Sequence, residues 1–108
     1  MKIRVTGITG FVGAHLEMVL LRSHYEVSGV VRSKKHSLNP KIQILLVDDI
    51  TTCNFKELTK GYDAVVHLAA IIHQPNQTDI DAYMRTNHDV RVAIAKACAV
   101  NKVSKFIT

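Results

Sequence analysis

The sequence predicts an α/β protein built on a doubly wound parallel sheet, and three observations carry that prediction. Short aliphatic runs alternate with stretches of helical periodicity from end to end. Two of those runs, Ile42 to Val47 and Ala64 to Leu68, are almost wholly apolar, the mark of strands covered on both faces. A glycine-rich turn, Gly7–Gly10–Gly13, stands between the first strand-like run and the first helical one.

Each element follows from local pattern. Lys2-Ile3-Arg4-Val5-Thr6 alternates and is rich in β-branched residues, so it reads as a strand. From Phe11 to Leu21, apolar residues at 12, 16, 19 and 20 keep a helical period. Glu26 to Val31 is a second strand, and 32–41 is a polar loop closed by Asn39-Pro40. Ile42 to Val47 is a strand expected to be buried on both faces. Phe55 to Lys60 is a short helix ended by Gly61, and Ala64 to Leu68 is another buried strand. Thr78 to Asn101 is a long helix, after which Lys105-Phe106-Ile107 starts a fifth strand. This order is that of a Rossmann-type fold, with right-handed crossovers and strand order 3-2-1-4-5. Residues 1–108 contain no internal repeat, low-complexity tract or linker, so one domain is expected. The sheet is expected to be truncated after its fifth strand, the N-terminal part of a longer design, because no helix follows to cover that strand.

Composition narrows the function classes. The chain is 47% hydrophobic and 21% charged, ordinary for a globular domain. No apolar run approaches the roughly 20 residues that cross a bilayer, and Gly7, Thr9 and Gly10 interrupt the N-terminal segment before a signal-peptide core can form. No membrane association and a cytoplasmic location are expected. The two cysteines, Cys53 and Cys98, form no CxxC pair and read as reduced thiols. The six histidines include no i, i+4 pair, so no metal site is expected. The net charge of +5 concentrates at Arg32, Lys34 and Lys35, with His36 beside them. With only 6% aromatic residues, stacking platforms for nucleic acid are scarce, and no nucleic-acid partner is expected.

The glycine turn carries the chemistry. Gly7 permits the tight exit from the strand, Gly10 lets a phosphate approach the backbone, and Gly13 lets the helix pack close. Free N–H groups of the first helical turn, with the positive end of the helix dipole, then face a pyrophosphate. The end of the second strand bears on cofactor choice. An NAD site usually places an acidic residue there, about 20 residues past the glycines, for the ribose 2′-hydroxyl. This chain has Arg32, helped by Ser33 and Lys34 or Lys35, and Glu26 lies at the strand's other end. Arg32 can pair with a 2′-phosphate, so NADP is preferred over NAD, although an arginine there can also stack on adenine.

Thr6-Gly7-Ile8-Thr9-Gly10-Phe11-Val12-Gly13 has GxxGxxG spacing and resembles the TGxxGFxG signature of the extended short-chain dehydrogenase/reductases, the nucleotide-sugar epimerases, dehydratases and reductases. Four further stretches fall in that family's order: Val31-Arg32, Val47-Asp48-Asp49-Ile50, Val66-His67-Leu68-Ala69-Ala70 and Thr86-Asn87. The resemblance covers essentially the whole chain, and within the family it is to bacterial UDP-glucose 4-epimerase-like proteins. It implies a cofactor site of Gly7, Thr9, Gly10, Phe11, Val12, Gly13, Arg32, Asp49, Ile50, Leu68, Ala69, Ala70 and Asn87. Asp49 would accept a hydrogen bond from the adenine amino group, with Ile50 against the ring; by residue type alone, Asp49 is equally an Asx-turn residue. Leu68, Ala69 and Ala70 would line the cofactor, or simply pack helix on sheet. Asn87 would hold a water or carbonyl near the active site, or be an ordinary polar helix residue. A nucleotide-sugar substrate is implied for the full-length protein, with a homodimer as an open option.

The family's acid/base pair, Tyr-x-x-x-Lys, has no counterpart in these residues. After Tyr25, Tyr62 and Tyr83 the lysine position is held by Gly29, Val66 and Asn87. Where the family often has Asn-Val-x-Gly-Thr, this chain reads Asn87-His88-Asp89-Val90-Arg91. Two functions therefore stand. One is the cofactor-binding part of an NAD(P)-dependent epimerase, dehydratase or reductase acting by hydride transfer at C4 of the sugar. The other is a non-catalytic dinucleotide-binding or redox-sensing module. Either way the 108-residue chain alone is expected to convert no sugar nucleotide. Chromatography of UDP-sugars incubated with purified chain and NAD(P) checks this, and any conversion contradicts it.

Overall fold

The computed structural model describes residues 1–32, 38–69 and 79–108, apart from the Phe11 side chain. Its elements are β1 (Lys2–Thr6), α1 (Phe11–Arg22), β2 (Glu26–Val31), β3 (Gln43–Leu46), α2 (Phe55–Thr59), β4 (Ala64–His67), α3 (Ile80–Val100) and β5 (Lys105–Ile107). The expected start of the long helix at Thr78 and the basic group Ser33, Lys34, Lys35 and His36 lie outside the described residues.

All strand pairs are parallel, and the order is β3-β2-β1-β4-β5, as expected for a Rossmann-type sheet. The chain lays β2 and β3 to one side of β1, then crosses back to lay β4 and β5 on the other. The C-terminal ends of β1 and β4 therefore part at a switch point, where open α/β sheets hold ligands.

Strand alternation sends side chains to two faces. Ile3, Val5, Val27, Val31, Ala64 and Val66 form one buried cluster, packed by Leu16, Leu20 and Leu21 of α1. Val65 joins Val90, Ile94 and Cys98 of α3 in a second, flanked by Phe55, Tyr62 and Phe106. The second face also buries Arg4 of the central strand. Its Nε donates to the Leu58 carbonyl at 2.9 Å and its Nη1 to Ser28 Oγ at 2.6 Å, and its guanidinium lies 4.1 Å from the Tyr62 ring centre. An arginine survives there because neutral acceptors and an aromatic face replace the water it has lost.

The helix ends have chemical causes. The Asn54 side chain accepts from Glu57 N–H at 3.1 Å and starts α2, and the positive φ of Gly61 (81°) follows its end. Asp79 accepts from Ala82 N–H at 2.9 Å and starts α3. Asn101, the C-cap of α3, donates from Nδ2 to Lys56 O and Thr59 Oγ1, both at 2.8 Å, and ties the long helix to the short one.

One expectation is corrected. The run Ile42 to Val47 is not buried on both faces: Ile44 is 45% and Leu46 48% exposed. Among the described residues β3 is the outermost strand on its side of the sheet, paired only with β2. Ile42 alone of the run is fully buried. Aliphatic composition records a preference for extended structure, and position in the sheet decides burial. Both cysteines are free thiols, and burial pushes both up from their ordinary value. Among the described residues no helix is long and apolar enough to cross a membrane, and no group of three His, Cys, Asp or Glu is placed to hold a metal.

The α3 face depends on Ile94, which is fully buried in its cluster. Ile94→Ala is expected to cost about 2–5 kcal/mol, the range for a buried Ile truncation that leaves a cavity. Urea unfolding should show this as a lower midpoint at unchanged slope.

Candidate functional site

The switch point is built by the exits of β1 and β4. Gly7, directly after β1, has φ +74°, and a Cβ there would lie 2.6 Å from Ala69 N and 2.8 Å from Leu68 C. Both backbone conformation and the neighbouring chain demand glycine. Gly13, one turn into α1, is held as tightly: its Cβ would stand 2.3 Å from Gly7 O and 2.7 Å from Ile8 Cα. Ile8, fully buried, sits beneath the turn. Gly10 differs, since its Cβ would meet only Gly7 O, at 3.3 Å. Packing demands two of the three glycines outright, whereas a Cβ on Gly10 would meet one tight contact that a shift of a few tenths of an ångström relieves.

Gly10 N–H donates to Gly7 O at 3.0 Å and Ala14 N–H to Gly10 O at 2.9 Å, which closes the turn and begins α1. Gly10 is the N-cap, with no side-chain cap and no acidic residue in the first helical turn. The first N–H groups of a helix have no intrahelical partner, and here the positive end of the dipole is uncompensated. Thr9 and Gly10 are exposed, and Val12 is 61% exposed beside them. The backbone of Phe11 lies in the first turn of α1. An anion would meet amides here with no carboxylate to repel it.

Across the crevice, Thr6 fastens β4 to β1. Its carbonyl accepts from Leu68 N–H at 3.0 Å, and its Oγ1 lies 3.2 Å from both Leu68 N and Ala69 N. The same Oγ1 lies 2.6 Å from His67 Nδ1. Thr6 and His67 are register partners and both are buried. Burial, and then the charge of Arg91 on α3, push His67 below its ordinary pKa. Sequence reasoning selected neither residue as a site residue. The available signal was the strand order, which sets the ends of β1 and β4 side by side.

The remaining predicted residues divide into groups. Leu68 and Ala69 are half-buried at the crevice, Leu68 packing against the α1-side cluster; Ala70 lies outside the described residues. Arg32 is exposed at the end of β2 and acts electrostatically on Asp49. Asp49 is bound into its own turn: Oδ1 accepts from Thr51 N–H at 2.9 Å and Thr51 Oγ1–H at 2.6 Å. Those two bonds, and then the Arg32 charge, hold its carboxyl below the ordinary value. The Asx-turn reading of Asp49 is thus the geometry found. Ile50 is half-buried against the α3-side cluster. Asn87 is half-buried on α3, one turn before Val90. Glu26 begins β2 opposite Lys2, at the edge of the sheet away from the glycine turn.

Two cavities among the described residues lie elsewhere. One of about 260 Å³, lined by Lys2, Tyr25, Lys41 and Tyr62, opens at the N-terminal edge of the sheet. Another of about 430 Å³ lies between α2 and α3, lined by Cys53, Phe55, Lys96 and Val100. Neither includes the glycine turn. The chemistry of free amides and a helix N-terminus with no acidic residue in its first turn selects the crevice over these hollows.

Residues 3–108 match the family described as the NAD dependent epimerase/dehydratase family. The chain is 38% identical over 85 residues to an uncharacterised oxidoreductase of Schizosaccharomyces pombe, covering 69% of this chain and 25% of that protein. It is 26% identical over 122 aligned positions to an uncharacterised UDP-glucose epimerase of Bacillus subtilis, covering 99% of this chain and 39% of that one. Among solved structures, it is similar to UDP-glucuronic acid 4-epimerase from Bacillus cereus, in complex with NAD, with TM-score 0.76 and 32% identity over 98% of this chain and 38% of that one. The chain thus spans between a quarter and two fifths of these proteins.

The contrast among the glycines can be tested in the protein without ligand. Gly13→Ala, which sets a Cβ against backbone atoms, is expected to cost at least about 1–3 kcal/mol. Gly10→Ala should change stability by no more than about 1 kcal/mol. Paired thermal and urea melts check this, and equal losses at both positions contradict it.

Proposed function

The chain belongs to the NAD dependent epimerase/dehydratase family, and from that premise we propose that residues 1–108 are the nicotinamide-dinucleotide-binding part of a nucleotide-sugar epimerase, dehydratase or reductase. The observation that carries this is Gly10. It is the N-cap of a helix with no side-chain cap at the switch point, and packing constrains it far less than Gly7 or Gly13: its Cβ would meet one atom, Gly7 O at 3.3 Å, against contacts of 2.3–2.8 Å at the other two. A close-approaching phosphate gives that glycine a reason.

The residues present fit such a cofactor. The Gly10, Phe11, Val12 and Gly13 amides would hold the pyrophosphate, with Thr9 at the rim. Gly7 and Gly13 let strand, turn and helix close up beneath it. Leu68 and Ala69 would line its nicotinamide side, with Ala70 next in sequence and Asn87 on α3. Asp49, its Oδ1 already engaged by Thr51, has its remaining acceptor capacity for an adenine amino group, and Ile50 supports the turn that carries it. Arg32 would meet the adenosine ribose. When bound, a nicotinamide supplies a hydride acceptor and donor for the sugar carbon, which we place at C4.

Arg32 favours NADP. It is exposed, cationic and at the end of β2, and Glu26 is at the opposite end of that strand. The similar Bacillus cereus epimerase carries NAD, so the preference is this chain's own. A cytoplasmic protein that pairs with a nucleotide sugar, and with a second copy of itself, completes the proposal.

Fluorescence titration at low salt tests both parts. NADPH is expected to bind more tightly than NADH, and Arg32→Ala should abolish the difference. NADPH binding no tighter than NADH overturns the NADP assignment. Gly10→Ala is expected to weaken either dinucleotide by about tenfold or more, the equivalent of about 1.4 kcal/mol. Wild-type affinity in that variant overturns the placement of the pyrophosphate.

A further inference from the structure

We propose that His67 is a positioning residue for the crevice: as a neutral imidazole protonated on Nε2, it takes the Thr6 hydroxyl hydrogen and so commits the Thr6 oxygen to the Leu68 and Ala69 amides. The link to ligand affinity rests on the dinucleotide reading of the same crevice.

Donor counting assigns the tautomer. The Thr6 hydroxyl has one hydrogen and two lone pairs. Leu68 N–H and Ala69 N–H are donors only, and both lie 3.2 Å from Oγ1: Ala69 N–H donates to it, and Leu68 N–H shares its hydrogen between Oγ1 and the Thr6 carbonyl, 3.0 Å away. The hydrogen goes to the third neighbour, His67 Nδ1, at 2.6 Å. Nδ1 must therefore carry a lone pair, and the ring proton stands on Nε2.

The consequence lies on the opposite side of those amides. Ala69 N and Leu68 C are the atoms that a Cβ on Gly7 would strike, at 2.6 and 2.8 Å. Thr6 thus holds the exit of β4 directly against the glycine turn and sets the crevice width. Protonating His67 turns Nδ1 into a donor aimed at an oxygen that already accepts from Ala69 N–H and shares the Leu68 N–H. The amide bonds to Oγ1 must then weaken, and the β4 exit loosens.

The surroundings keep the ring neutral. From α3 the charged group acting on it is Arg91. On β1 the other ionisable side chains of that face are Arg4 and Lys2. β5 presents Phe106 there, its Lys105 being in register with Ala64 of the other face. Burial disfavours the cation further. Because the folded value lies below the ordinary 6.5, the unfolded chain binds the proton more readily. The stability contribution is full above about pH 6.5 and is lost as pH falls through the depressed folded value.

The test uses the whole chain labelled with 15N-histidine. Without ligand at pH 7.5, His67 is expected to show an unprotonated Nδ1 and a protonated Nε2; the opposite tautomer or a cation overturns the proposal. In His67→Leu and Thr6→Val, amide exchange at Ala69 should accelerate by about tenfold, the scale of one lost hydrogen bond, while Leu68 keeps its bond to the Thr6 carbonyl. Thr6→Ser should keep wild-type exchange. His67→Asn, whose Oδ1 can replace Nδ1 as acceptor, should restore slow exchange and flatten the pH profile of NADPH affinity between pH 5 and 7.5. Unchanged exchange in His67→Leu, or a pH profile that persists in His67→Asn, overturns it. If wild type binds no dinucleotide, the functional reading fails while the tautomer and exchange results still decide the role of His67.

Discussion

The structure depends on one close approach, that of the chain leaving β4 to the chain leaving β1. Gly7 has no Cβ, and the Leu68–Ala69 backbone occupies the space where one would be. The Thr6 carbonyl and hydroxyl fasten that contact with bonds to both amides. Without it, β1 and β4 could still pair along their length, but their exits would splay. α1 would then lose its seat, because Gly13 packs on the Gly7 carbonyl and Ile8 in turn.

Everything at the candidate site follows from that approach. It aims the first turn of α1 across the end of the sheet, with its amides uncapped and its dipole uncompensated. Parallel pairing sets Arg32 and Asp49 at the same edge, beyond β2 and β3. The other sheet edge is a different environment, with Arg4 sealed beneath Tyr62 and Leu58 and a basic hollow alongside. The two edges therefore differ in what they present: one is lined by side chains, and the other presents backbone.

Much of this was legible in the residues. Helical period, β-branched runs and glycine spacing were enough for the strand order and for Gly7, Gly10 and Gly13 as a unit, because each is a local signal. What was hidden depended on neighbours distant in sequence. Burial of Ile44 and Leu46 was overestimated because hydrophobicity does not say which strand lies at an edge. Arg4 read as an ordinary strand residue, since its acceptors Ser28 and Leu58 come from other elements. Thr6 and His67 are separated by a span that only the parallel register closes. Asp49 was balanced between a turn and a ligand role, and the bonds from Thr51 settle the turn part.

The central claim is that free backbone at the switch point, rather than either hollow, receives a dinucleotide. Amide chemical-shift mapping of the 15N-labelled chain against NADPH tests it most directly. The expected result is that the largest shifts fall on Gly10, Phe11, Val12 and Gly13, with Arg32 following and the Lys2, Tyr25 and Tyr62 hollow silent. Shifts concentrated at that hollow, or between α2 and α3, with the glycine turn unmoved, would contradict the account.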